Sequence, residues 1–96
     1  MKNLYVDDER DCPKGWDIAR SYDEAIRLLS EEHYEYISLD YDLGEWNYQV
    51  PRTGITILDW LEEQKKNGKH IPFIYIHTGS KHRRNMELTA NRLNRD

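Results

Sequence analysis

Apolar residues in this chain fall into short, dense blocks set apart by polar turns. The first block, Lys2-Asn3-Leu4-Tyr5-Val6, reads as a strand that stops abruptly at Asp7-Asp8. Glu9 to Gly15 is turn material, with Pro13 and Gly15, and Trp16 to Arg20 predicts a second strand. Ser21-Tyr22-Asp23-Glu24 sets a glutamate three residues after a serine, the signature of a capping box. Behind it Ala25, Ile26, Leu28 and Leu29 give a helical apolar face as far as Glu32. Tyr34 to Leu39 is a third strand, ending again in an acid, Asp40. Residues 41–52, with Gly44 and Pro51, predict a long loop. Thr53 caps a helix whose Ile55, Ile57, Leu58 and Leu61 follow helical spacing, and Gly68 closes it. Ile71 to Ile76 is the fourth strand, and Ser80 is placed to cap a last helix with Met86, Ala90 and Leu93 on one face.

Near-continuous apolar strands alternating with helices predict a parallel sheet with helices packed on it, an α/β fold. Only the Glu9 to Gly15 connection lacks a helix, so an antiparallel second strand is open there. The expected architecture is three-layered, with helices on both faces of a four-stranded sheet, in one domain spanning residues 1–96.

Composition adjusts this picture only slightly. Charged residues make up 33% of the chain and the mean hydropathy is -0.99, at the polar edge of globular sequences. Three Trp and seven Tyr nevertheless supply aromatic area that a disordered chain rarely carries. No stretch approaches the roughly 18 apolar residues of a membrane helix, and Met1 leads directly into a strand. The expectation is a cytoplasmic protein with no membrane partner. Cys12 is alone, so neither a disulfide nor a thiolate zinc cluster can form within one chain.

The net charge of -4 hides an asymmetry: residues 1–45 hold 13 acids against 5 bases, whereas residues 46–96 hold 9 bases against 5 acids. That polarity does not suit a general nucleic-acid binder, whose footprint is broadly basic. It suits a site where carboxylates hold a cation and basic groups meet an anion, or simply a solvated surface.

Ligands of open parallel sheets bind beyond the carboxyl ends of the strands. Three strands end here in chemically able residues: Asp7 and Asp8; Asp40 with Asp42; and His77, Thr78 and Ser80. Parallel strands would bring all of them to one rim. Carboxylates so close repel one another unless a cation intervenes, and a hard divalent ion, Mg²⁺ or Mn²⁺ before zinc, answers that need. The alternative is that these Asp residues are caps or turn residues. His77 is either a satisfied histidine at the sheet edge or a reactive group facing the acids. Lys81, Arg83 and Arg84 crowd the start of the last helix, where cations oppose the macrodipole and a bound phosphate would relieve the conflict, Thr78 and Ser80 adding hydroxyls.

Paired acids after the first strand, an acid ending the third and a small hydroxyl region after the fourth resemble a response-regulator receiver domain. Leu4-Tyr5-Val6-Asp7-Asp8-Glu9-Arg10, Ile37-Ser38-Leu39-Asp40-Tyr41-Asp42-Leu43-Gly44, Thr53-Gly54 and Ile74-Tyr75-Ile76-His77 resemble more closely the small cyclic-phosphate processing receiver family of bacteria and phages. The resemblance implies a truncated, flavodoxin-like receiver with strand order 2-1-3-4, without a receiver's first helix or its fifth strand and readout lysine. It further implies that Asp7, Asp8 and Asp40 are metal ligands, that Asp40 matches the phosphoacceptor, and that Tyr41 stands where the family commonly has histidine.

Two functions follow as expectations. One is a metal-assisted phosphoesterase for a cyclic phosphate, on a phosphorylated small molecule or an RNA end: Asp7, Asp8 and Asp40 would hold Mg²⁺ or Mn²⁺, Asp40 and His77 would be catalytic, and Lys81, Arg83 and Arg84 would steady the anion with Thr78 and Ser80. The other is a degenerate receiver that binds a protein partner, such as a phage protein that binds a host factor, through Trp46 and Tyr48 in the long loop.

Overall fold

The computed structural model describes residues 2–46, 49 and 51–95. In chain order its elements are β1 (Asn3–Val6), β2 (Asp17–Ala19), α1 (Tyr22–Glu31), β3 (Tyr36–Leu39), β4 (Asp42–Glu45), β5 (Arg52–Thr53), α2 (Gly54–Lys66), β6 (Phe73–Ile76) and α3 (Arg83–Asn94). Four strands form one sheet in the order β2-β1-β3-β6, with every neighbouring pair parallel. This is the order and direction read from the sequence, β6 being the fourth strand. Even β1 and β2 are parallel, although a loop joins them. The Arg20 guanidinium pins that loop by donating to the carbonyls of Asp7 (3.2 Å) and Arg10 (2.6 Å). Trp16 sets its ring edge-on to Tyr5, 6.3 Å between centroids.

The registers put Leu4, Val6, Ala19, Ile37, Leu39 and Ile74 on one face of the sheet, and all are buried. Ala25 of α1, Ile57, Leu58 and Leu61 of α2, and Met86, Ala90 and Leu93 of α3 complete one core with them. Helix α1 touches α2, and α2 touches α3, so the three form a single layer. The opposite face carries Asn3, Tyr5, Ile18, Tyr36, Ser38, Phe73 and Tyr75, none of which belongs to that core. The fold is therefore two-layered among the described residues, where the sequence suggested helices on both faces. Handedness explains the difference. The connections from β2 to β3 and from β3 to β6 both run in one direction across the sheet, so right-handed crossovers put their helices on one side. The β1 to β2 connection runs the other way, and it is the one without a helix.

Two further details differ from the sequence reading. Residues expected to form a plain loop contain the antiparallel ribbon β4–β5, pairing Asp42 with Thr53 and Glu45 with Arg52. So short and polar a ladder, irregular between its two pairs, leaves no periodic signal. The last helix begins at Arg83, because the Ser80 hydroxyl accepts the N–H of His82 (3.1 Å) and closes a turn ahead of the helix. Capping elsewhere follows the sequence: Ser21 Oγ accepts from Glu24 N (3.1 Å), and Thr53 with Thr56 forms a capping box on α2. Strand β6 starts at Phe73 because Pro72 has no N–H; Phe73 N donates to Glu35 O at 2.8 Å.

At the outer edge of β6 the Asn94 side chain takes the place of a further strand. Its Oδ1 accepts from Ile74 N (2.8 Å) and its Nδ2 donates to Ile74 O (3.0 Å). No described helix is long and apolar enough to cross a membrane.

Candidate functional site

Asp7, Asp40 and His77 each follow the last residue of a parallel strand, β1, β3 and β6 respectively. Strand alternation points all three to the uncovered face, two residues beyond Tyr5, Ser38 and Tyr75. One ligand atom from each of the three lies within 4.8 Å of the others.

Asp7 is almost wholly buried, at 1% exposure. Its Oδ1 accepts the N–H groups of Glu9 and Arg10, both at 2.9 Å, and its Oδ2 accepts His77 Nε2 at 3.0 Å. Burial alone would raise its pKa; the N–H groups of Arg10 and Glu9, then the His77 bond and charge, outweigh burial and hold Asp7 below its usual value. It is a carboxylate at neutral pH. A carboxylate only accepts, so His77 Nε2 carries a proton in this arrangement. The other ring nitrogen, Nδ1, lies 2.6 Å from Ser38 Oγ, whose hydroxyl then donates to it. The imidazole also stacks on Tyr5, 4.2 Å between centroids and 7° from parallel. Burial pushes the His77 pKa down, and the hydrogen bond to Asp7 with the charges of Asp7 and Asp40 only partly offsets it. His77 is thus a neutral base between two acids and a buried hydroxyl.

Asp40 is placed by its backbone. Its N–H donates to Val6 O at 3.0 Å, and its Oδ1 accepts from Tyr41 N at 2.7 Å. Asp8 points elsewhere, toward the ribbon. Gly44 has φ +70°, and a Cβ there would come within 3.0 Å of Asp8 Oδ2. Burial raises the Asp8 pKa, and the charges of Glu9, Asp42 and Asp7 add to it. Two carboxylates and an imidazole within 4.8 Å are a donor set that fits a divalent cation.

The family model described as Cyclic-phosphate processing Receiver domain matches residues 2–92. The chain belongs to that family. Comparison with the curated proteins and with the solved structures gives no match.

In this receiver domain the remaining candidates are distributed unevenly. Thr78 is buried and its Oγ1 accepts from Ser80 N (3.1 Å), so the hydroxyls of Thr78 and Ser80 both serve the backbone of their own turn. Lys81, Arg83 and Arg84 are exposed on that segment; Lys81 precedes α3, and Arg83 donates to Thr78 O (3.3 Å) and Glu87 (3.4 Å). Trp46 is 49% exposed, with its indole N–H on Asp42 Oδ1 at 3.1 Å. Tyr48 lies outside the described residues. Ser38, Tyr5 and His82, which stacks on Tyr41 at 4.1 Å, complete the rim without having been singled out from sequence. The period-two alternation of a strand holds the signal for the first two, since Tyr5 shares a face with Asp7 and Ser38 shares one with Asp40.

Proposed function

We propose that this receiver domain opens a cyclic phosphodiester, or a related small phosphoester, at the Asp7–Asp40–His77 rim. The observation that carries the reading is the convergence of two acids and a neutral histidine at the strand ends, in a family named for cyclic-phosphate processing. Asp7 and Asp40 would hold a divalent cation, Mg²⁺ or Mn²⁺, with Asp8 adding negative charge nearby. Such a cation neutralises charge on the phosphoryl oxygens. Ring opening joins a water oxygen to phosphorus and breaks one ester P–O bond. The water loses a proton and the departing oxygen gains one. His77 accepts the first proton at Nδ1, through the Ser38 hydroxyl that donates to that nitrogen and takes the water's proton in exchange. Ionised Asp7 stabilises the imidazolium, and the ring returns a proton by the same route to the leaving oxygen. Lys81, Arg83 and Arg84 draw the anion toward the rim from the segment after β6.

His77→Ala is expected to cut turnover of a cyclic phosphodiester by about 10²-fold or more while stability changes little. Asp40→Asn is expected to abolish most of the Mg²⁺ response of the intrinsic Trp fluorescence, with the fold intact or slightly more stable. Unfolding of Asp40→Asn would assign Asp40 a capping role and remove the metal reading.

A second reading rests on Trp46, a half-exposed indole held in place by Asp42 beside the rim. A fixed aromatic of this kind suits a protein contact. On that reading the parent chain turns over no cyclic phosphate at any Mg²⁺ concentration. Trp46→Ala then costs about 2 kcal/mol or more of partner affinity.

A further inference from the structure

The uncovered sheet face holds no charged side chain on its strands. Its residues are Asn3, Tyr5, Ile18, Tyr36, Ser38, Phe73 and Tyr75. Three of the rings form one cluster: Tyr36 lies 6.1 Å from Phe73 and 5.8 Å from Tyr75, and Phe73 lies 5.2 Å from Tyr75, centroid to centroid. Phe73 and Tyr75 are 45% and 49% exposed, an unusual state for large rings that already pack on neighbours. The cluster is continuous with the candidate site. His77 follows Tyr75 by two residues on the same face, about 7 Å along the strand, and its ring reaches across β3 to stack on Tyr5 of β1.

A neutral aromatic platform that ends at a phosphate-handling rim is matched by a molecule with the same polarity, a flat apolar ring system joined through a short polar link to a phosphate. Nucleosides have that form, and aromatic side chains on an open sheet are an effective surface for stacking bases. We infer that the open face formed by Tyr36, Phe73 and Tyr75 stacks the base of a nucleoside phosphate whose phosphate lies at the Asp7–Asp40–His77 rim. The inference rests on the function proposed above, and it names the substrate class of that site. A protein partner on the same rings would explain their exposure but not their alignment with the rim.

Calorimetric titration tests it with three stable probes in the presence of Mg²⁺: adenosine 3′-phosphate, glycerol phosphate and adenosine. The parent chain should bind adenosine 3′-phosphate more tightly than glycerol phosphate. Tyr75→Ala and Phe73→Ala should each weaken the nucleotide roughly tenfold, the loss of one stack, and leave glycerol phosphate unchanged. A dinucleotide ending in a 3′-phosphate separates the two sources of the ligand: a further gain points to an RNA end, and equal affinity to a free nucleotide. Unchanged nucleotide affinity in both variants overturns the inference. So does sedimentation showing a dimer that Tyr75→Ala dissolves, because a second copy then occupies the face. Adenosine binding as well as its 3′-phosphate, with both dependent on Tyr75, keeps the stacking face and overturns the phosphate rim instead.

Discussion

Ser38 illustrates how much one hydroxyl can decide. It lies 2.6 Å from His77 Nδ1 in a nearly buried position. A hydroxyl can donate to that nitrogen or accept from it, so Ser38 supports both forms of the ring. In the neutral form Nε2 carries its proton toward Asp7 and Ser38 donates to Nδ1; in the imidazolium both nitrogens carry protons and Ser38 accepts from Nδ1. Ser38→Ala removes the partner for both forms while the ring stays stacked on Tyr5. Activity or cation affinity is expected to fall about 10- to 100-fold, as for other groups that orient a site histidine. Ser38→Thr should recover most of it, and nitrogen NMR of the imidazole should report a changed tautomer balance only in the alanine variant. Unaltered kinetics and an unaltered spectrum in Ser38→Ala would leave the serine a packing residue. Reading Ser38 from the sequence is hard because one serine in Tyr36-Ile37-Ser38-Leu39 looks like a small lapse in an apolar run. Its partner, His77, is remote in sequence and becomes adjacent only through the β3–β6 register.

At the scale of elements, the entry to α2 holds the site in position. Gly54 N donates to Tyr41 O at 2.9 Å. A Cβ on Gly54 would stand 2.1 Å from the Asp40 carbonyl oxygen and 2.6 Å from the Met86 methyl. Two effects of Gly54→Ala oppose each other. Alanine favours a helix over glycine by about 0.5–1 kcal/mol. Overpacking costs about 1–3 kcal/mol, and here the obstructing atom is backbone and cannot swing aside. The clash wins, so chemical denaturation should show a net loss of stability, together with weaker cation binding as Asp40 is displaced. A variant as stable as the parent would mean that β3 and α2 are less closely coupled than this contact implies. This junction was legible in the sequence as Thr53-Gly54, a cap followed by a glycine, and so were the four main strands and three helices. The β4–β5 ribbon was not, since its pairing depends on chain geometry around Gly44 and on the tie from Tyr22 N to Glu45 Oε1 (2.6 Å) that anchors it to α1.

For the whole molecule, the parallel receiver-like sheet is as the sequence predicts but its helices form one layer and not two, and the reason lies in the residue types on the uncovered face. Tyr5, Tyr36, Phe73 and Tyr75 count as apolar in any hydropathy pattern, so the strands read as buried on both sides. Burial in fact alternates along β1 and β6, the strands that flank β3: Leu4, Val6 and Ile74 are buried, while Phe73 and Tyr75 stand half in solvent. The rim itself was foreseeable, because parallel strands ending in Asp7, Asp40 and His77 must converge wherever they run side by side. One feature at the far side of the sheet bears on how copies of the chain behave together. The Asn94 amide occupies both the N–H and the C=O of Ile74, where an approaching strand would otherwise pair. It therefore acts as a guard against edge-to-edge polymerisation, a hazard made greater by the aromatic residues of the same strand. Asn94→Ala should make the protein associate at concentrations where the parent does not, read as a rising sedimentation coefficient. Asn94→Asp, which can still accept from Ile74 but cannot donate, should fall between them. A solution of Asn94→Ala as dispersed as the parent would show that charge and strand twist already keep that edge from growing into fibrils.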